Sequence, residues 1–196
     1  MTNPAVRIDE SGIARCAWVG SDAEYARYHD EELGTPLHGD RPLFEKISIE
    51  GFQAGLSWIT ILRRRPAFRE VFHGFELEAV AAMGPEDVER LMNEPRIIRN
   101  RAKIEATIGN ARATLELTGD HAGALDELMW SFAPPPRARR PTSFSEIPAV
   151  TAESTAMSKA LRSLGFRFVG PTTMYALMQS ACMVDDHVQG CWRAVD

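Results

Sequence analysis

The chain has 196 residues, of which 44% are hydrophobic and 25% are charged. These fractions are typical of a soluble globular domain and exclude a wholly disordered chain. The first residues lack the apolar stretch of a secretory signal, and no apolar run is long enough to span a membrane. Three cysteines are too few for a disulfide scaffold, so we expect a reducing, cytoplasmic location and no membrane partner.

The net charge of -5 argues, at face value, against a polyanionic partner. The acidic excess is local, however, because residues 1–60 carry ten acidic and five basic side chains, whereas residues 61–196 carry 17 of each. Between Arg96 and Arg112, five basic residues accompany one acid, Glu105. Such a cluster is usually a solvated helix face, and its alternative is a phosphate-binding surface.

The pattern along the chain predicts helices almost throughout, so we expect a single all-α domain. The first helix is predicted to open at Ser21–Glu24, which fits a capping box. A second helix is predicted from Pro42, with a break at Glu50–Gly51, and another lies around Trp58–Leu62. Further helices are predicted at 66–72, 76–83, 86–92, 97–115, 124–132, 153–164 and 171–183. Residues 1–14 are predicted to form a mobile N-terminal tail, and residues 15–196 the domain.

Four residues carry metal-ligand side chains at suggestive spacing. Cys16 and His29 lie in the first part of the chain, whereas His187 and Cys191 lie four residues apart in the last part. Two thiolates and two imidazoles form a closed tetrahedral zinc set, so the ion would be structural. The alternative on spacing alone is a buried cysteine with an exposed histidine.

An aromatic group in the first third of the chain could surround a flat ligand. Its members are Trp18, Tyr25, Tyr28 and Trp58, and the two tyrosines share a helix face because they are three residues apart. Aromatic residues at helical spacing are more often core residues. Glu50 has apolar neighbours, so its carboxyl group is either exposed at a helix break or buried for a purpose.

Longer segments are more specific than these residues alone. They are RCAW at 15–18, YARYHDEE at 25–32, EGFQAGLSW at 50–58, IIRNRAKI at 97–104, GNAR at 109–112, SKAL at 158–161, FRFVGPT at 166–172 and HVQGC at 187–191. In this order and spacing, the segments resemble the bacterial DNA-3-methyladenine glycosylase I family over roughly residues 15–192.

The resemblance implies a helix-hairpin-helix fold in which a single structural zinc ion joins the N- and C-terminal regions. The implied ligands are Cys16, His29, His187 and Cys191. The implied activity is monofunctional hydrolysis of the N-glycosidic bond of 3-methyladenine in double-stranded alkylated DNA. Free 3-methyladenine would be the product, and a monomer is the simplest expectation.

The resemblance also assigns roles in a base pocket. Glu50 would bind the polar edge of a base that has left the duplex, and it is the one catalytic residue that we assign. Trp18, Tyr25, Tyr28 and Trp58 would surround that base, whose methylation makes it cationic and well suited to aromatic faces. Related hairpin enzymes carry an aspartate where residues 107–111 have none. We therefore expect Glu50 to act through recognition and electrostatics, with water as the nucleophile.

The implied DNA-binding residues lie in two segments. Gly55 and Leu56 match the segment that enters the gap in the duplex. Arg99, Arg101 and Lys103 flank a hairpin predicted around residues 95–103 and would neutralise phosphates.

Two departures from the family pattern bear on function. The predicted hairpin lacks a glycine. Leu33 replaces the tryptophan that is common in the family, which predicts altered base stacking or substrate range.

Two other classes of function compete with a glycosylase. A zinc-stabilised DNA-binding module with altered or lost glycosylase activity would keep the metal ligands and the basic hairpin. Such a module is expected to lose Glu50, Trp58 or the tyrosines, and all of them are present. A zinc hydrolase acting on another substrate needs an open coordination position, and four candidate ligands argue against one.

Overall fold

Helices form nearly all the regular structure in a computed structural model that describes residues 3–194. Within that range the elements are β1 (Val6–Ile8), β2 (Ala14–Cys16), α1 (Ala23–Glu31), α2 (Asp40–Gln53), α3 (Trp58–Leu62), α4 (Arg65–Val71), α5 (Leu77–Ala81), α6 (Pro85–Met92), α7 (Arg101–Thr118), α8 (Ala124–Trp130), α9 (Ala152–Ser163) and α10 (Pro171–Ser180). The predicted helical fold is confirmed, and the short sheet was not predicted. None of the described helices is long and apolar enough to cross a membrane.

Residues 3–14, which were predicted as part of a mobile tail, include a strand and contact the C-terminal part of the chain. Strands β1 and β2 pair in antiparallel register, with Val6 opposite Cys16. The side chain of Asn3 donates a 3.0 Å hydrogen bond to the carbonyl oxygen of Gln189, and Ala5 is buried in a small cluster that includes Cys16 and Val188. Three-residue strands are too short to show alternation, and their apolar partners lie far away in sequence. Residues 1 and 2 lie outside the described range.

The N-terminus of α1 is capped one residue later than predicted. The carboxylate of Asp22, rather than the side chain of Ser21, accepts hydrogen bonds from the backbone N–H groups of Glu24 and Tyr25, at 3.0 and 3.1 Å. An aspartate here satisfies amides that have no intrahelical partner. The buried residues of the resulting helix are Tyr28 and His29.

Helix α2 passes through the predicted break at Glu50–Gly51. A Cβ atom at Gly51 would lie 3.4 Å from Cβ of Phe168, which is within van der Waals contact. The helix continues through Gly51 although glycine costs about 1 kcal/mol in a helix interior. Glu50 therefore lies inside a buried helix and is not at a helix end.

Packing in the core fixes the position of α2. This helix packs against α7 and α10, and α7 also packs against α5. Five phenylalanines of the core are fully buried, namely Phe44, Phe52, Phe68, Phe72 and Phe75. Because Phe44 and Phe52 lie on α2 itself, their burial fixes the direction in which Glu50 projects.

The predicted hairpin corresponds to α6, the loop at 93–100 and α7. Ile97 is buried in the core but precedes the helix, which begins at Arg101 instead of residue 97. The side-chain oxygen of Asn100 caps α7 by accepting a 3.2 Å hydrogen bond from the backbone N–H of Lys103.

Candidate active site and metal centre

A cavity of about 350 Å³ brings together all five residues predicted to form a base pocket. Tyr25 and Tyr28 come from α1, Glu50 from α2 and Trp58 from the start of α3, whereas Trp18 lies in the 3-10 turn that follows β2. Cavities of this size are large enough for small ligands.

The aromatic rings of the cavity form two contacting pairs. Trp18 and Tyr25 have centroids 5.4 Å apart with planes nearly perpendicular, and Tyr28 and Trp58 have centroids 5.3 Å apart at 54°. The hydroxyl oxygen of Tyr25 accepts a 3.0 Å hydrogen bond from the backbone N–H of Ile59, which ties α1 to α3. The indole N–H of Trp58 is buried and has no hydrogen-bond partner in residues 3–194.

Glu50 is almost fully buried, with 3% of its surface exposed. Burial raises the pKa of its carboxyl group, whereas the nearby charge of Lys46 and a hydrogen bond from Ser180 lower it. Burial also raises the pKa of Tyr28, and the charge of Glu50 adds to this effect. The pocket therefore offers aromatic faces beside a desolvated carboxyl group, an arrangement that favours a flat cation.

Several polar residues of the cavity wall were not predicted from the sequence. Ser180 and Gln179 end α10, and Asp186 follows shortly after. Asp186 accepts hydrogen bonds from the hydroxyl of Tyr175 at 2.7 Å and from the side-chain amide of Gln179 at 2.8 Å, and it forms an ion pair with Arg137. A glutamine and a serine at the end of an otherwise apolar helix were the available sequence signal.

Leu33 also lines this cavity. The departure from the family pattern at this position therefore lies in the pocket wall itself. Because Leu33 has no ring, it supplies packing area but no aromatic face to a bound base.

Three of the four predicted metal ligands lie together. The side-chain ligand atoms of Cys16, His29 and Cys191 are all within 4.8 Å of one another, and all three residues are buried. The fourth residue, His187, has its ring centroid 5.0 Å from that of His29. Its Nε2 atom is buried without a hydrogen-bond partner in the described part of the chain, as expected of an imidazole nitrogen held ready for a metal ion.

Carboxylates orient both histidines. Asp30 Oδ1 lies 2.8 Å from Nδ1 of His29, and Asp185 Oδ1 lies 2.8 Å from Nδ1 of His187. A carboxylate that accepts a hydrogen bond from Nδ1–H leaves the lone pair on Nε2. Arg15 in turn donates two hydrogen bonds of 2.9 Å and one of 2.6 Å to Asp30. The nitrogen and sulfur atoms of Cys16, His29 and Cys191 could thus hold a metal ion.

The two cysteines of the group interact directly. Their mutual hydrogen bond lowers the pKa of Cys191 to about 4 and raises that of Cys16, with burial adding to the rise. One of the two thiols is therefore readily ionised. Two thiolates this close together would need a cation between them, which a divalent metal supplies.

The segment that follows α2 presents an apolar tip. Leu56 has 41% of its surface exposed, although it is a large hydrophobic residue. Gly55 has a φ of +86° and open space around its Cα atom, so the turn depends on glycine. The segment therefore places an exposed apolar side chain directly after a turn at Gly55.

Lys103 is placed differently from the prediction. Only 8% of its surface is exposed, and its ammonium group donates hydrogen bonds to the carbonyl oxygens of Phe52 and Ala54, at 3.0 and 2.8 Å. Those carbonyls belong to the end of α2, where they lack intrahelical partners. The structure therefore corrects the prediction that Lys103 neutralises phosphates, because a sequence shows a charge but not its direction.

The other basic residues near the hairpin differ in their availability. Arg101 is paired with Glu89 at 2.8 Å, and Arg96 is paired with Glu70 and Glu94. Arg99 is exposed and forms no ion pair with the residues described. Of these three arginines, Arg99 is therefore the one whose charge is not already paired with a carboxylate of the described residues.

Comparisons with known proteins agree with this site. A family model described as methyladenine glycosylase matches residues 18–194. The DNA-3-methyladenine glycosylase 1 of Escherichia coli (strain K12) is 49% identical over 180 residues, which cover 91% of this chain and 96% of that protein. The DNA-3-methyladenine glycosylase of Haemophilus influenzae is 44% identical over 180 residues, which cover 90% and 96%.

Solved structures give the same result. A crystal structure of 3-methyladenine DNA glycosylase I has a TM-score of 0.87 and 46% identity, covering 91% of this chain and 98% of its own. The 3-methyladenine DNA glycosylase I of Staphylococcus aureus has a TM-score of 0.86 and 34% identity, covering 93% and 97%. This chain therefore belongs to the methyladenine glycosylase family.

Proposed function

We propose that this chain is a DNA-3-methyladenine glycosylase, which hydrolyses the N-glycosidic bond of 3-methyladenine in double-stranded alkylated DNA and releases the free base. The observation that carries the proposal is the buried carboxyl group of Glu50 in a cavity with four aromatic residues. Two curated relatives bear the name of this activity, and a similar structure was solved in complex with 3-methyladenine.

The pocket chemistry suits an alkylated base. The damaged nucleotide leaves the duplex, at a cost of a few kcal/mol, and its base enters the cavity. Methylation at N3 makes the base cationic, so aromatic faces and the carboxylate of Glu50 stabilise it. The exocyclic amine of the base donates a hydrogen bond to Glu50.

The cationic base is a good leaving group. The C–N bond breaks with its electron pair passing to the base, which becomes neutral, while positive charge develops on the sugar. Water then adds to the sugar carbon and loses a proton to the solvent. Glu50 binds the base and contributes electrostatically, so no second carboxylate is required to activate the water.

We also propose a single structural zinc ion held by Cys16, His29, His187 and Cys191. Its support is the buried donor set, the unpaired Nε2 of His187 and the carboxylates on both histidines. The bound ion would join β2, α1 and the segment after α10 without leaving a coordination position for water.

The proposed DNA interface consists of Leu56 and Gly55 at the apolar tip, with Arg99 and Arg101 near the hairpin. Leu56 is exposed in the manner required of a side chain that fills a gap between bases. Arg99 is exposed as well, which suits a phosphate contact. The monomeric state and the cytoplasmic location remain predictions.

A base-release assay tests the function. Duplex DNA methylated at several bases would be incubated with excess protein, and the release of 3-methyladenine, 3-methylguanine and 7-methylguanine would be measured. We expect Glu50→Gln to slow the release of 3-methyladenine by at least about tenfold, which corresponds to roughly 1.4 kcal/mol. Glu116→Gln, at an exposed position on α7, is the matched control. An unchanged rate in Glu50→Gln would contradict the role of this residue.

The same assay addresses a DNA-binding module that has lost catalysis. Such a module would bind methylated duplex DNA and release no base. The intact pocket disfavours this alternative, since Glu50 and its four aromatic neighbours all line one cavity.

A further inference from the structure

Lys46 is a buried lysine beside the base pocket. It lies on α2, four residues before Glu50, and 9% of its surface is exposed. Its ammonium nitrogen is 5.8 Å from the centre of the Trp58 ring. Lysine is rarely buried to this degree, because removing its charge from water is costly. A nearby group of opposite charge is needed to offset the cost of burying this ammonium group.

The charge of Glu50 is the largest one that favours the ammonium form of Lys46. Residues four apart on a helix share one face, which brings the ammonium and carboxyl groups toward each other. Burial lowers the pKa of Lys46, and the charge of Glu50 is the largest effect that opposes this fall. Conversely, Lys46 gives the strongest opposition to the effect of burial on Glu50. Each charge therefore offsets part of the desolvation of the other, although burial remains the larger effect and leaves the pKa of Glu50 raised and that of Lys46 lowered.

Other charged groups surround this pair. The charges of Glu32 and Glu45 also favour the ammonium form of Lys46, and that of Arg65 on α4 disfavours it. Around Glu50 lie the hydroxyl group of Tyr28 from α1 and that of Ser180 from α10. Asp185, Asp186 and His187 line the same cavity. Among all these groups, Lys46 is the cation with the largest effect on Glu50.

We propose that Lys46 is a positioning residue of the base pocket, whose buried ammonium opposes the effect of burial and favours the ionised form of the Glu50 carboxyl group for a cationic base. The proposal rests on the glycosylase function proposed above. A protonated Glu50 would carry no charge to balance that of the methylated base, and one of its oxygens would be a donor. Lys46 does not line the cavity, so it would act through Glu50 and not through contact with the base.

The proposal predicts a pH effect with a definite sign. Replacing Lys46 by a neutral residue removes a charge that lowers the pKa of Glu50. The pKa of the carboxyl group then rises, so its neutral form persists to higher pH. The acid limb of the rate profile should consequently move upward by about one pH unit, the lower end of what a nearby opposite charge produces.

The experiment compares Lys46→Met, Lys46→Gln and Lys46→Arg with the parent from about pH 5 to 9. Single-turnover release of 3-methyladenine from DNA gives the rate profile, and tryptophan fluorescence reports binding of the free base. Two neutral variants guard against a folding defect in one of them, and Lys46→Arg retains the charge. Lys159→Met, at an exposed position on α9, controls for loss of a lysine elsewhere.

We expect an upward shift of the acid limb in both neutral variants, and a parental profile in Lys46→Arg and Lys159→Met. A neutral variant whose profile overlays that of an active parent would overturn the role of Lys46. A loss of rate that is uniform with pH would also overturn it, because a purely structural role has that effect. A parent that releases no base at any pH would instead overturn the proposed function.

Discussion

The hydroxyl group of Ser180 donates a 2.9 Å hydrogen bond to Oε1 of Glu50, across 130 residues of sequence. Both residues are buried, so the bond joins α10 to α2 within the wall of the base pocket. This bond favours the ionised carboxyl group and thus acts in the same direction as Lys46. The charge state of Glu50 therefore depends on contacts from two helices.

Ser180→Ala should raise the pKa of Glu50 and move the acid limb of base release to higher pH. The sign follows because a donor that stabilises the carboxylate is lost. A buried hydrogen bond to a charged group contributes about 1.5–3 kcal/mol, so the free energy of unfolding at neutral pH should fall by a similar amount. Rate profiles and urea unfolding measure the two effects.

Ser163→Ala is the control for that substitution. The hydroxyl group of Ser163 is exposed on α9 and donates to the carbonyl oxygen of Ala160. Its loss should change neither the rate profile nor the stability appreciably. An acid limb that stays in place in Ser180→Ala would show that this hydrogen bond does not control the ionisation of Glu50.

Much of this site is predictable from the sequence, since the family motifs preserve order and spacing. Glu50 and the four aromatic residues were all expected in the pocket and all line one cavity. Local sequence patterns do not predict the packing of a residue whose contacts lie far away in the chain. Gly51 predicts a helix break, yet it is buried inside α2 and packs near Phe168 of a distant segment.

The sequence also does not show whether a charged side chain points toward solvent or toward the protein interior. Lys103 lies in a basic run that suggests a phosphate-binding surface, but its ammonium group turns inward to the end of α2. The burial of the N-terminal segment is not predicted either, because Ala5 gains its burial from residues near Cys191. No window along the chain contains both partners.

Gly34→Ala should weaken the metal centre. Gly34 has a φ of +77°, and a Cβ atom there would lie 2.7 Å from Cε1 of His187. The methyl group would therefore displace an imidazole that we propose as a zinc ligand. We expect less than one zinc per chain by elemental analysis and a lower melting temperature, by about 2–4 °C for each kcal/mol lost.

Gly12→Ala is the control that separates the effect of backbone strain from that of the clash with His187. Gly12 has a similar φ of +82°, but nothing lies within 4 Å of the position of its Cβ atom. Alanine in this conformation costs about 1–2 kcal/mol at either site. Equal losses of zinc and stability in the two variants would mean that the contact with His187 is unimportant.

Ala5→Asp should destabilise the protein, although residues 1–14 have the sequence pattern of a tail. Ala5 is 5% exposed and packs in the cluster that contains Cys16 and Cys191. An unpaired carboxylate there should cost at least about 1–3 kcal/mol. Ile8→Asp, at the end of β1 three residues further on, is the control, since Ile8 is 56% exposed. Equal melting temperatures for both variants would favour a detached segment.

Arg99→Ala and Lys103→Met should affect DNA binding in different ways. Arg99 is exposed, so its loss should remove about one phosphate contact and reduce the slope of log K against log salt by about one. Lys103 is hydrogen-bonded to the carbonyls of Phe52 and Ala54, directly before the apolar tip at Leu56. Its loss should leave the salt slope unchanged, because no phosphate contact disappears.

Lys103→Met should instead lower stability and loosen the apolar tip. The two carbonyls at the end of α2 would lose their donor, at a cost of about 1–3 kcal/mol for a buried group left unpaired. Fluorescence anisotropy over a range of salt concentrations gives the slopes, and urea unfolding gives the stabilities. A reduced slope in Lys103→Met with parental stability would place its ammonium group on DNA, whereas a parental slope in Arg99→Ala would remove Arg99 from the interface.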